Sequence, residues 1–197
     1  MTLLLIRKLF KLCFDVLFME ASGYGHKPHE GIGKRVVKLD IPDSNKKRDM
    51  YEKALEEIRD RVKDVDSVVP RMATVSSVLK NIMPHYSWCG FYFAEEDEMI
   101  IGPYQGTTAC PNIAYTGVCG TSARKKETVV VPNVHEFPGH IPCDERSNSE
   151  IVVPVMDNEE RVIAVLDIDS TELNAFDEVD REFLEKHIVP ILLEREN

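Results

Sequence analysis

The sequence has 197 residues, of which 43% are hydrophobic, and its formal net charge is −10 at pH 7. This length suits one domain with additional terminal sequence, and the apolar fraction is sufficient for a buried core. The negative charge argues against a nucleic-acid-binding protein, because phosphate backbones are bound by clustered Lys and Arg. The sequence also contains no basic patch interleaved with aromatic residues.

The N-terminal residues 1–45 are predicted to be an extension that is flexible or serves in targeting, and a domain is predicted over residues 46–197. Residues 3–14 are apolar and basic, which is typical of a weak mitochondrial presequence or of an amphipathic segment on a membrane surface. A disordered accessory extension, even one upstream of a true start at Met19, is the alternative. No segment reaches the roughly 18 to 20 apolar residues of a transmembrane helix, so no stable membrane insertion is expected.

Helices are predicted at both ends of the domain. Apolar residues recur at helical spacing over residues 50–65 and again over residues 72–83, with Pro70 between the two runs and Pro84 after them. A third helix is predicted to begin near Asp177 and to kink or end at Pro190.

Strands are predicted between these helices, and most of them pair as hairpins. Aromatic and β-branched segments bounded by polar turns occur at residues 88–93, 99–105, 128–131, 151–155 and 161–168. Hairpins require an antiparallel sheet, and the flanking helices must cover one face of it. The predicted fold class is therefore α+β, with the other face and the middle loops left to form a pocket.

Cysteine is the residue type that suggests chemistry. The chain has five cysteines, an odd number that is unsuited to a disulfide framework and favours a reducing compartment such as the cytoplasm. Cys143 follows His140 on a loop rich in Pro and Gly, so we expect its thiol to be accessible and His140 to lower its pKa. Cys89 lies within an aromatic strand and is interpreted as a core residue. Cys119 is flanked by glycines and precedes a predicted helix start at residues 121–123, and its pattern fits packing and an auxiliary role equally.

Three acidic residues are predicted to lie together at the end of the second hairpin. Asp167 and Asp169 alternate along one strand and so share one face of the sheet, and Glu150 begins the neighbouring strand. Such a pair can bind an ammonium group or a calcium ion, or remain solvated. A third carboxyl group close to them has a raised pKa, which suits a proton donor. Zinc is disfavoured because the cysteines and histidines form no closely spaced pair, and no metal or cofactor is predicted.

Six motifs together resemble the GAF-domain free methionine-(R)-sulfoxide reductases. The resemblance extends over residues 51–193, and the segment from Cys143 to Glu150 is its most specific part, because most GAF domains are binding modules that lack it. The motifs are WCGFY at 88–92, GPYQG at 102–106, GVCGT at 117–121, PGHIPCD at 138–144, SEIVVP at 149–154 and LDIDS at 166–170.

The resemblance implies a GAF-like fold with a central antiparallel sheet of about six strands. It also implies residue roles, with Cys143 as the catalytic thiol, Cys110 or Cys119 as the resolving thiol and Glu150 as the proton donor. The remaining implied residues bind the substrate. They are Trp88 and Tyr92 as an aromatic wall, and Asp167 and Asp169 as acidic contacts.

The activity implied is reduction of free methionine-(R)-sulfoxide through a sulfenic acid and an intramolecular disulfide, recycled by thioredoxin. The resemblance is also compatible with a homodimer. Two other functions remain open from the sequence alone, namely a non-catalytic GAF module that binds a small ligand and a thiol protein that senses peroxide.

Overall fold

The computed structural model describes residues 38–140 and 143–194. The predictions of targeting and flexibility for the N-terminal extension fall mainly on residues 1–37, which lie outside the described residues. The backbone N–H of Leu39 donates to Glu172 Oε1 at 2.8 Å, so the chain already contacts the domain before residue 46. In the part of the chain that is described, no helix is both long enough and apolar enough to cross a membrane.

Two helices open the domain, as predicted, with shifted boundaries. Helix α1 spans Ser44–Val62 and helix α2 spans Val68–Ile82. Helix α1 begins before the apolar repeat because the Asp43 side chain caps it, accepting from Lys46 N at 2.9 Å. Pro70 lies inside the first turn of α2 rather than between the helices, a position where a missing N–H leaves no helical hydrogen bond unmade.

A single antiparallel sheet of six strands follows, which confirms the predicted α+β class. The strands lie in the order β3-β2-β1-β6-β5-β4. The sequence predicted every strand except the two-residue β3. It placed a helix start at residues 121–123, inside the observed helix α3, Gly117–Lys125. The strands are β1 Trp88–Ala94, β2 Met99–Gln105, β3 Asn112–Ile113, β4 Val129–Val131, β5 Ser149–Met156 and β6 Val162–Ser170.

The two faces of the sheet carry different clusters of side chains. Val153 and Leu166 point toward the helices and belong to the main hydrophobic core. Their neighbours Val152 and Val165 belong to a smaller cluster on the opposite face. Because side chains alternate along a strand, Asp167 shares the face of Val165, away from the helices at the two ends of the domain. Helix α3 packs on this second face. The sheet therefore separates the stabilising core from the face that carries the acids.

The C-terminal helix begins where it was predicted to begin. Asp177 caps helix α4, Glu178–Phe183, through a reciprocal capping box with Asp180. A π-helical turn, Leu184–Ile188, then leads into the short helix α5, Val189–Ile191, which contains Pro190. Because proline cannot donate the regular helical hydrogen bond, the backbone changes its pattern in the turn before it. Pro190 thus marks a local widening of the helix.

A buried ion pair joins α1 to α4. Lys47 and Asp180 are 1% and 0% exposed and are in direct contact through Lys47 Nζ. The same ammonium donates to the carbonyl of Ala175 at 2.9 Å, and the Tyr51 hydroxyl donates to Asp180 Oδ1 at 2.8 Å. Burial raises the pKa of Asp180, but the contacts with His85 and Lys47 outweigh this effect and hold it below its ordinary value. Every polar group of the pair is therefore satisfied.

Lys47→Met is expected to lower the free energy of unfolding by about 3–5 kcal/mol, because it leaves the Asp180 carboxylate buried without its cation. Urea denaturation measures this change. The matched control is Lys46→Met, which removes a 57%-exposed lysine whose partner, Asp40, is 76% exposed. Loss of that exposed pair should lower the free energy of unfolding by no more than about 1 kcal/mol. Equal losses in the two variants would contradict the assigned role of the buried pair.

Candidate active site

Strand register brings the three predicted acids together. Glu150 lies directly opposite Asp169 in the β5–β6 ladder, and Asp167 lies two residues further along β6. Glu150 and Asp167 are only 5% and 7% exposed, and Asp169 is partly buried. All three line one cavity. Three other predicted site residues line the same cavity, namely Tyr92, Cys119 and Cys143.

The pKa values of these acids reflect their burial and their proximity to one another. Burial raises the pKa of Glu150 well above its ordinary value, and the negative charges of Asp167 and Asp169 raise it further. Burial and Asp167 likewise raise the pKa of Asp169, and burial raises that of Asp167 to about 6. The three groups interact and titrate together, so they do not all carry a charge at neutral pH. The prediction of a raised pKa at Glu150 is confirmed.

Cys119 is held beside this cluster by helix α3. Gly117 starts the helix with a positive φ of 71°, and a Cβ at Gly120 would clash with the backbone of Tyr115. These two glycines let the helix N-terminus lie close to β5, where Cys119 Sγ is 3.8 Å from Glu150 Oε1. Burial and the acids Asp167 and Glu150 raise the pKa of Cys119 well above its ordinary value. Cys119 is therefore a buried, protonated thiol that belongs to both the packing and the site.

Cys143 lies on the accessible loop that the sequence predicts and is exposed. Its thiol contacts the side chain and backbone of Cys110 and the Tyr92 hydroxyl. Partial burial, followed by the contact with the Cys110 side chain, raises the pKa of Cys143 to about 12. The expectation that His140 lowers this pKa is therefore wrong. Nδ1 of His140 instead faces Glu150 Oε2 at 3.7 Å, and burial lowers the pKa of this histidine.

Only one of the two predicted aromatic residues lines the cavity. Tyr92 lines the cavity, and its hydroxyl donates to the carbonyl of Cys110 at 3.2 Å. Trp88 is not among the lining residues. It lies opposite Asp169 in the β1–β6 ladder and stacks on Tyr92 with ring centroids 6.1 Å apart. Cys110 is also outside the lining and reaches the site only through its contacts with Tyr92 and Cys143.

A polar contact between two loops was missed by the sequence analysis. Thr107 Oγ1 donates to Asp144 Oδ2 at 2.9 Å, and the Trp88 indole N–H donates to the Thr107 carbonyl at 3.1 Å. Arg146 holds the same Asp144 carboxylate, which keeps its pKa well below the ordinary value. The contact joins the loop of Cys110 to the loop of Cys143. Nothing in the spacing of these residues indicates it, because it crosses between separate loops.

Comparison with known proteins defines the class of this domain. A profile described as the GAF domain matches residues 62–186, which is more than half of the 197-residue chain. The chain therefore belongs to the GAF domain family. A relative from Dictyostelium discoideum, GAF domain-containing protein A, is 39% identical over 140 residues, covering 70% of this chain and 87% of that protein.

Two further relatives carry the name of an enzyme. The free methionine-R-sulfoxide reductase of Saccharomyces cerevisiae is 48% identical over 111 residues, or 54% of this chain. The match spans 62% of the yeast protein, which is less than two thirds of its length. The structure of free methionine-R-sulfoxide reductase from Neisseria meningitidis in complex with its substrate is 38% identical, with a TM-score of 0.71. That similarity covers 79% of this chain and 93% of the neisserial chain.

The free energy of unfolding is expected to fall less between about pH 5 and about pH 8 in Glu150→Gln than in the wild-type protein. A carboxyl group whose pKa is raised on folding stabilises the protein while it is protonated below its unfolded pKa. That contribution is lost as the pH rises through the folded pKa, and glutamine does not titrate. Urea denaturation at both pH values measures the difference, with the exposed Glu96→Gln as the control. An unchanged pH dependence in Glu150→Gln would contradict the buried-acid cluster.

Proposed function

We propose that this protein reduces free methionine-(R)-sulfoxide to methionine, with Cys143 as the attacking thiol. The observation that carries the proposal is that Cys143 lines the same cavity as Glu150, Asp167 and Asp169. The cavity combines apolar side chains with a few convergent polar groups, as small-ligand sites do. The yeast and neisserial relatives that share this domain are named for that activity.

Selectivity for the free amino acid follows from the buried carboxyl groups. An α-ammonium group placed against Asp167 and Asp169 offsets their shared negative charge, and a methionine inside a protein has no such group. Tyr92 contributes an apolar wall beside Cys143, and Trp88 supports it from behind through their stacked rings. The acids would therefore select for the amino group, while the aromatic side contacts the sulfoxide end.

The chemistry is a two-electron transfer between sulfur atoms. Cys143 loses its thiol proton and attacks the sulfoxide sulfur, and the sulfoxide oxygen is transferred to Cys143 as a sulfenic acid while methionine is released. Glu150, kept protonated by its raised pKa, donates a proton to that oxygen as the S–O bond breaks. Such general acid catalysis typically contributes about 10²- to 10⁴-fold in rate.

Regeneration requires a second thiol, and the geometry supports Cys110. Its side chain contacts the Cys143 thiol, whereas Cys119 donates to Glu150. Attack by Cys110 on the sulfenic acid forms a disulfide and releases the oxygen as water. Thioredoxin then restores both thiols by thiol–disulfide exchange. We propose that the loop over residues 134–148 acts as a lid that shifts to admit it.

The catalytic unit is proposed to occupy residues 46–197, with residues 1–45 as an extension outside it. The family match begins at residue 62, well after the extension. A mechanism that cycles through free thiols suits a reducing compartment, which supports a cytoplasmic location. Delivery to mitochondria by the N-terminal extension is the alternative.

Cys143→Ser is expected to abolish turnover while leaving the fold intact, because it removes the nucleophile from an exposed loop. The assay couples thioredoxin reduction to four substrates, namely the R and S sulfoxides of methionine, each free and peptide-bound. The wild-type protein should reduce only the free R form. Normal turnover in Cys143→Ser would end the assignment. Binding without any turnover in the wild type would instead indicate a ligand-binding module, and reactivity with peroxide alone would indicate a sensor.

Cys110→Ser is expected to allow one turnover and then to stop, because the sulfenic acid at Cys143 lacks its contacting thiol. Single-turnover release of methionine measures the first step, and mass spectrometry of the oxidised protein identifies the disulfide pair. Cys119→Ser is the matched comparison. Continued cycling in Cys110→Ser, with a Cys119–Cys143 disulfide, would transfer the resolving role to Cys119.

A further inference from the structure

The acid cluster contains a set of metal-ligating atoms that come from three different elements. Cys119 Sγ on α3 and carboxylate oxygens of Glu150 on β5 and Asp167 on β6 all lie within 4.8 Å of one another. All three residues are buried, and all three line the cavity. We refer to these three residues as the Cys119 cluster. It is the one such group of three or more His, Cys, Asp or Glu residues among the described residues.

One atom of the cluster has no partner inside the protein. Asp167 Oδ1 is buried and makes no hydrogen bond, although the residue is only 7% exposed. A buried polar atom left unsatisfied typically costs about 1–3 kcal/mol, and more when it is charged. The described residues that line the cavity include no Lys or Arg. A cation that enters the cavity can therefore satisfy this atom.

We propose that the Cys119 cluster binds a thiophilic divalent cation of the zinc class. Its ligands are the Cys119 thiolate and one oxygen each from Glu150 and Asp167. These three protein ligands leave a fourth position for water or a substrate group, as in zinc sites that are open on one side. Zinc accepts such mixtures of sulfur and oxygen ligands in tetrahedral sites, whereas magnesium and calcium require six or more oxygen ligands.

Binding requires no redox change. The Cys119 thiol releases its proton to solvent, the acids release theirs, and the cation takes their place. The affinity therefore increases with pH. This site differs from the sequence prediction, which disfavoured zinc because the cysteines and histidines form no close pair. Its ligands are separated by 31 residues between Cys119 and Glu150, so only the packing of α3 on the sheet brings them together.

The cation also has a consequence for activity, and this part rests on the proposed function. Asp167 and Glu150 are the acids assigned to the substrate's ammonium group and to proton donation. A cation bound to them occupies the place of the ammonium group and removes the catalytic proton. Zinc-class cations are therefore inhibitors that compete with the free amino acid.

Cadmium titration of a Cys110→Ser/Cys143→Ser variant tests the site. This background removes the loop thiols, which would form a separate dithiol site, and it keeps every residue of the Cys119 cluster. The ultraviolet charge-transfer band of a cadmium–thiolate bond reports binding directly. We expect the band to saturate at one equivalent and to persist in a large excess of magnesium. No saturable band in this background would overturn the proposal.

Further variants in the same background assign the ligands. Adding Cys119→Ser should abolish the band, and adding Asp167→Asn should weaken cadmium binding by tenfold or more. Adding Cys89→Ala, which changes a buried thiol of the main core outside the cluster, should change neither. Circular dichroism confirms that each variant is folded. A band that survives in folded Cys119→Ser would overturn the proposal.

Competition separates this proposal from the proposed function. The background variant can bind free methionine-(R)-sulfoxide but cannot reduce it, so the sulfoxide should weaken the apparent cadmium affinity in proportion to its concentration. A peptide-bound sulfoxide should leave the apparent cadmium affinity unchanged. If cadmium binds at the cluster and the free sulfoxide does not compete, the metal site is supported and the assigned ammonium site is overturned.

Discussion

The carboxyl groups of Glu150, Asp167 and Asp169 share one cavity in this protein, and the described residues that line it provide no Lys or Arg to neutralise them. The cost of this arrangement is electrostatic, because burial and mutual repulsion both oppose ionisation of Glu150 and Asp169. A fold that keeps such a cluster gives up stability at neutral pH for a group that holds a proton and attracts a cation. The candidate active site depends on this unfavourable burial of acidic groups.

The opposite face of the sheet shows how the same fold treats an acid that serves structure. Asp180 is more deeply buried than Glu150, yet it contacts Lys47 and accepts from Tyr51, and its pKa is lowered. The main hydrophobic core surrounds this pair and joins the helices to the sheet. Stability is thus concentrated on the sheet face that the terminal helices cover. This allows the face with the acids to carry unsatisfied groups such as Asp167 Oδ1.

The three cysteines of the site differ in the part of the fold that fixes their position. Cys119 is fixed by a glycine-framed helix start and donates to Glu150, so its position is set by the domain core. Cys110 and Cys143 lie on separate loops that are joined by the Thr107–Asp144 contact. The redox exchange proposed for the two loop thiols requires such an arrangement, because loops can move while the acids beneath them stay in place.

The sequence by itself determined the order of the terminal helices and of five of the six strands, the α+β class, the hairpin that carries the acids and the accessible loop of Cys143. These features depend on local spacing, since alternation along β6 alone places Asp167 and Asp169 on one face. Only the tertiary structure decided which side chains meet. The contact of Cys119 with Glu150, that of Cys143 with Cys110 and the misassigned His140 all involve pairing between different elements. Local patterns carry no information on such distances, because strand register and helix packing set them.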